Sequence, residues 1–111
     1  MIGYVTLGTS DLARAAKFYD AIAAELGAKR FMEFEGFIAW SGGGPGIALT
    51  KPYDGKAATV GNGVMVALAA KDKAQVDRIY DLAMSMGATD EGKPGPRSAN
   101  FYAAYFRDPD G

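Results

Sequence analysis

The sequence predicts an α+β fold made of two tandem β-α-β-β-β units. Three observations predict it. The chain repeats itself, each copy carries a strand signal followed by an amphipathic helix, and turn residues punctuate the segment after each helix. Offset by 61 residues, 4–20 falls on 65–81: YVTLGTSDLARAAKFYD lies over MVALAAKDKAQVDRIYD. Val5 meets Val66, Leu7 meets Leu68, Asp11 meets Asp72, and Tyr19-Asp20 meets Tyr80-Asp81. Both copies then reach a Gly-Ala pair, Gly27-Ala28 and Gly87-Ala88. Self-similarity at a fixed period marks a duplicated supersecondary unit. At 111 residues the chain is one domain, residues 1–111, with repeat units of about 1–60 and 62–111.

In the first unit, Ile2 to Leu7 is rich in β-branched and aromatic residues and reads as a strand. Ser10 or Asp11 caps a helix whose apolar stripe is Leu12, Ala15, Tyr19, Ile22 and Leu26. Gly27 supplies the left-handed residue that ends it. Lys29 to Phe34, Phe37 to Trp40 and Gly46 to Thr50 read as three short strands. Glu35-Gly36 turns the first pair. The run from Ser41 to Pro45 turns the second, since no strand interior tolerates it. That glycine run lacks the Gly-Lys-Ser/Thr ending of a phosphate loop and joins two strands. A loop from Lys51 to Gly61 comes next.

The second unit opens on a strand signal from Val64 to Leu68. Asp72 caps the next helix, with Gln75 at the reciprocal capping-box position. Val76, Ile79, Tyr80 and Ala83 form its stripe, and Gly87 ends it. Ala88 to Glu91 is a weak strand. Lys93 to Asn100 reads as a proline-stiffened loop, and Phe101 to Phe106 as a strong strand. Asp108-Pro109-Asp110-Gly111 is a hairpin turn. The repeat calls for one more strand, the counterpart of Gly46 to Thr50, and the 111 residues stop before it.

Composition excludes several chemistries. There are no cysteines and no histidines. Thiol nucleophiles, disulfides, thiolate zinc sites, Ser-His-Asp triads and His-ligated metals are all closed to this chain. A formal net charge of −1 offers no footprint for nucleic acid or an acidic membrane. No apolar run approaches a membrane span, and the N-terminus has no basic region of a secretory signal. The expected location is cytoplasmic.

Two motifs carry a family resemblance: Ser10-Asp11-Leu12 leading to Phe18-Tyr19-Asp20, and the terminal Asp108-Pro109-Asp110-Gly111. In tandem β-α-β-β-β units they resemble the vicinal oxygen chelate superfamily, the glyoxalase, bleomycin-resistance and extradiol-dioxygenase group. The resemblance implies a curled, barrel-like mixed sheet with the helices outside, enclosing a cleft. It also implies a divalent metal in the enzymatic members, with ligands on the first and last strands of each unit. The matching positions here are Tyr4, Ala48 and Met65, and the fourth falls past Gly111. A phenol, a methyl and a thioether are not a hard-metal set. The expectation is therefore no metal and no cofactor.

Alternation along the first strands puts Tyr4 with Ile2 and Thr6, and Met65 with Ala67, away from the helices. Tyr4 and Met65 are thus candidate ligand contacts, with core or dimer packing as the alternative. Phe34, Phe37, Trp40, Phe101, Tyr102 and Tyr105 lie on the strands expected to wall the cleft, and alternation lets about half of them face it. Among these, Trp40, Tyr102 and Tyr105 are candidate ligand contacts. Trp40 and Tyr105 occupy matching places. Arg97, presented by its loop, is a candidate for a ligand carboxylate or phosphate. Glu33 and Glu35, two apart, form a possible acid–base pair beside the simpler reading of a solvated edge. The expected function is metal-free binding of a small aromatic or amphipathic molecule by a homodimer. The alternatives are a lyase, isomerase or dioxygenase of the same superfamily, and a non-catalytic dimerisation module.

Overall fold

A computed structural model describes all 111 residues. Its contacts divide the chain into two compact units, residues 1–60 with Asp110, and residues 61–109 with Gly111. No helix is long and apolar enough to cross a membrane.

The first unit runs β1 (Tyr4–Gly8), α1 (Leu12–Glu25), β2 (Lys29–Phe34), β3 (Phe37–Ser41) and β4 (Gly46–Thr50). The sheet order is β1-β4-β3-β2, with β1 parallel to β4 and the other pairs antiparallel. Asp11 caps α1, its carboxylate accepting the Arg14 backbone N–H at 3.0 Å. Gly27 comes after the helix at φ +71°, where a Cβ would be strained, and lets the chain leave it. Phe18 and Ile22 of α1 and Leu49 of β4 are nearly fully buried. Each such side chain contributes about 1.5–3 kcal/mol by leaving water. Thr9, fully buried just after β1, donates its hydroxyl to Asp110 at 2.7 Å and accepts the Asp11 N–H at 3.1 Å. Asp110 also holds Arg14 at 2.7 Å. Asp110 therefore fastens the junction of β1 and α1 as well as standing in a turn.

The second unit runs α2 (Lys73–Ser85), β5 (Thr89–Ser98) and β6 (Phe101–Arg107), the last two pairing antiparallel. Asp72 accepts the Gln75 N–H at 2.8 Å, and the Gln75 side chain returns to the Lys71 N–H at 2.8 Å. Gln75 thus reaches one residue further back than a standard capping box. The closing turn forms, with the Gly111 N–H donating to the Asp108 carbonyl at 2.8 Å.

Two expectations are corrected here. Residues Val64 to Leu68 form no strand. In the first unit, β1 pairs with β4 alone. No strand of the second unit occupies the place of β4, so 64–68 has no ladder to join, and β-propensity without a hydrogen-bonding partner makes no strand. The segment from Lys93 to Ser98 is not a loop but the second half of β5. Register shifts between Asp90 and Gly92, Gly92 and Gly95, and Pro96 and Ser98 accommodate its glycines and prolines.

Candidate functional site

Helix α1 covers one face of the four-stranded sheet, and cross-strand register decides which side chains lie beneath it. Trp40 is under the helix. Its ring lies 6.1 Å from that of Tyr19, and its indole N–H donates to Asp20 at 2.8 Å. Opposed residues share a face, so Ile38, Leu49, Val5 and Leu7 join it there. Trp40 is 3% exposed. This corrects the expectation that it walls a ligand cleft: its strand phase turns it toward the helix.

Asp20 also takes Arg30 through two hydrogen bonds of 2.9 and 2.7 Å, and Arg30 reaches Glu33 at 2.9 Å. The guanidinium sits 5.7 Å above the Trp40 ring. Arg30, with help from the Trp40 N–H, holds the Asp20 carboxyl below the ordinary carboxylate range, against the opposing effect of burial. Glu33 is committed to Arg30 and Glu35 lies in the turn, so the two do not form an acid–base pair.

The opposite face carries no helix of this unit. Tyr4, Thr6, Gly46, Ala48, Ala39, Phe37 and Phe34 share it by register. Phe34 and Phe37 stack at 4.7 Å between centroids with 8° between planes, and Tyr4 meets Phe37 edge-on at 6.0 Å. Ala39 and Ala48 lie directly opposite each other and are fully buried. Tyr4, Phe31 and Phe34 remain 47%, 52% and 59% exposed. Gly46 gives this face its depth, because a Cβ there would lie 3.3 Å from the Phe31 ring and 2.6 Å from the Trp40 carbonyl oxygen.

Tyr4 and Ala48, two of the positions that the family resemblance associates with a metal, do share this face. Met65 stands in the other unit, exposed and outside any strand. A phenol, a methyl and a thioether do not fit a divalent ion, and no group of three carboxylates comes together anywhere in the chain.

In the second unit Tyr102 faces α2, its hydroxyl donating to Asp77 at 2.7 Å. That hydrogen bond, with burial added, raises the Tyr102 pKa. Tyr102 is therefore turned away from the free face. Tyr80 and Asp90 hydrogen-bond in the same way between α2 and β5, and burial together with Asp90 raises the Tyr80 pKa. Tyr105, an odd number of residues from Tyr102, points to the side away from α2, where Arg97 lies over its ring at 5.4 Å. Trp40 and Tyr105 thus stand on opposite kinds of face, one beneath the helix of its unit and one turned away from it.

A separate open groove of about 720 Å³ runs beside the start of α1, between Ser10, Lys17, Arg30, Glu33 and Lys51, with Ala16 and Ile38 in its lining. Its Ser10 hydroxyl accepts the Ala58 N–H at 3.0 Å, and Arg30 and Glu33 are paired with each other. It contains none of the ligand contacts expected from the sequence. Of the aromatic residues around this sheet face, Phe31 is the one the sequence reading does not name, while Phe34 and Phe37 belong to its expected cleft wall. The phase of Ile38 and Trp40 against the helix is the signal that locates Phe37.

Comparison with known proteins agrees with this architecture. Residues 1–111 match the family model described as Glyoxalase/Bleomycin resistance protein/Dioxygenase superfamily. A crystal structure of a glyoxalase/bleomycin resistance protein from Albidiferax ferrireducens T118 is 34% identical, with a TM-score of 0.91, covering 100% of this chain and 92% of that one. A glyoxalase/bleomycin resistance protein/dioxygenase family enzyme from Burkholderia phytofirmans PsJN is similar in fold at 20% identity and a TM-score of 0.78, covering 96% and 89%. Lactoylglutathione lyase from Agrobacterium tumefaciens is similar in fold at 23% identity and a TM-score of 0.67, covering 100% and 87%. No protein of curated function matches the sequence. On the full-length family match and the 34% relative, the chain belongs to the glyoxalase/bleomycin resistance protein/dioxygenase superfamily.

Proposed function

We propose that this protein binds a small aromatic or amphipathic molecule on the helix-free face of its four-stranded sheet, without a metal. The observation that carries this is the aromatic group of half-exposed Tyr4 and Phe34 with the partly buried Phe37, beside Gly46, Ala48 and Ala39. Rings of this kind offer stacking surfaces for the ring of a ligand. Tyr4 adds one hydroxyl to orient a polar substituent. A grouped set of exposed large apolar side chains marks an interaction surface more often than a scattered one does.

The neutral probe 1-naphthol tests this in the full chain. Saturable binding is expected by calorimetry, weakened about fivefold or more by Phe34→Ala and by Tyr4→Ala, since each stacking contact contributes about 1 kcal/mol. Absence of binding, or binding indifferent to both substitutions, overturns the reading.

A second reading is a homodimer, supported by the position of β1 at the open edge of the sheet. Sedimentation velocity across roughly a hundredfold concentration range is expected to show the dimer, since assembly is set by mass action. A monomer throughout overturns this reading alone.

A further inference from the structure

The chain's arginines are not used alike. Arg14, Arg30 and Arg107 each hold a carboxylate, Asp110, Asp20 and Glu91 respectively, at 2.7 Å. Arg97 holds none. Its Nη2 donates to the Lys93 carbonyl oxygen at 2.6 Å, and its guanidinium lies over the Tyr105 ring. Its Nε–H and Nη1–H donors have no partner.

The guanidinium is seated in a hollow made by two glycines. A Cβ on Gly92 would lie 3.2 Å from Arg97 Nη2 and 3.2 Å from the Tyr105 ring, and a Cβ on Gly95 would lie 3.2 Å from Nη1. Pro94 and Pro96 flank Gly95 and hold the local φ angles. The strand thus gives up side chains at the places where the guanidinium rests. Arg97 is exposed, and its planar cation is held on one edge by a carbonyl and on one face by a ring before any anion arrives. Little further entropy is lost when an anion arrives, and the fork suits two oxygens at once.

We propose that Arg97 is a preoriented receptor for the carboxylate or phosphate of a small molecule, on the face of β5–β6 away from α2. The site uses Arg97, Tyr105, Lys93, Gly92 and Gly95, all in the second unit.

Titration of the ¹⁵N-labelled full chain with benzoate, and separately with inorganic phosphate, at constant ionic strength tests this. Saturable shifts of the Arg97 Nε–H and of the Gly92 and Gly95 amides are expected with one or both anions. The tighter of the two identifies the oxyanion preferred. Arg97→Lys keeps the charge and loses the fork, and is expected to weaken binding about tenfold. Gly95→Ala keeps Arg97 and crowds its seat, and is expected to weaken binding severalfold with the circular dichroism spectrum unchanged. Shifts that chloride reproduces, an Arg97→Lys affinity within about twofold of the parent, or a Gly95→Ala protein that binds like the parent overturns the proposal.

Discussion

Trp40 donates its indole N–H to the Asp20 carboxylate at 2.8 Å, across twenty positions of sequence and from the middle of a strand to the middle of a helix. The only tryptophan of the chain is therefore a bolt between α1 and β3. Arg30 closes the arrangement by gripping the same carboxylate and covering the indole.

Trp40→Phe removes the N–H donor and part of the buried ring. Unfolding in urea is expected to show a loss of about 1–3 kcal/mol, with binding of 1-naphthol on the opposite face unchanged. In the parent protein, acrylamide is expected to quench Trp40 emission only weakly.

Asp20 carries a pH signature. Its folded-state pKa lies below its ordinary value of 3.8, chiefly through Arg30. Such a group stabilises the fold fully above the unfolded value, and its contribution fades as pH falls through the folded value. Asp20→Asn is expected to be less stable than the parent at about pH 7 and to lose less on acidification. Denaturant unfolding at stepped pH, from about 7 down to about 2, measures the difference, which should narrow toward the acid end.

Thr9→Val keeps the shape of a fully buried side chain and deletes the hydroxyl that joins Asp110 to the Asp11 N–H. A destabilisation of about 1–2 kcal/mol is expected in thermal or urea unfolding, because the two part-buried hydrogen bonds of the buried hydroxyl are lost.

Gly46→Ala places a methyl 2.6 Å from the Trp40 carbonyl oxygen, where backbone must move. A loss of about 1–3 kcal/mol is expected from overpacking. Weaker 1-naphthol binding should accompany it, since the same methyl rises into the aromatic face.

Tyr102→Phe tests the alkaline side. The Tyr102 pKa is raised above its ordinary value of 10.0 by its bond to Asp77. A raised group stabilises the fold below the unfolded value, and that contribution is lost as pH rises through the folded one. The variant is expected to be less stable than the parent at about pH 7 and to converge with it as pH rises through the folded-state value, as read by denaturant unfolding at stepped pH.

Much of the fold was legible because local signals are local physics. Asp11 and Asp72 cap their helices because a short carboxylate at that position reaches a free N–H wherever the chain goes next. Gly27 and Gly87 end the helices because only glycine takes their positive φ without strain. The strands β2, β3 and β4 arise from β-branched and aromatic runs cut by Glu35-Gly36 and by Ser41 to Pro45. The duplication showed that the second unit would carry a helix in the corresponding place.

The site was legible only in part. Alternation says that Phe37 and Ala39 point one way and Ile38 and Trp40 the other. It does not say which way the helix lies. The contact of Trp40 with Tyr19 and Asp20 decides that, and it leaves Phe34 and Phe37 on the uncovered side.

By itself, then, the amino-acid order determined the helices, their caps, the turns, the duplicated plan and the absence of thiol and imidazole chemistry. These depend on neighbours a few residues apart. Tertiary structure alone decided that Val64 to Leu68 forms no strand, that Lys93 to Ser98 does, and that Arg97 is seated on Tyr105. Each of these depends on whether a distant segment supplies a hydrogen-bonding edge or a ring, and partners of that kind are chosen only when the chain folds.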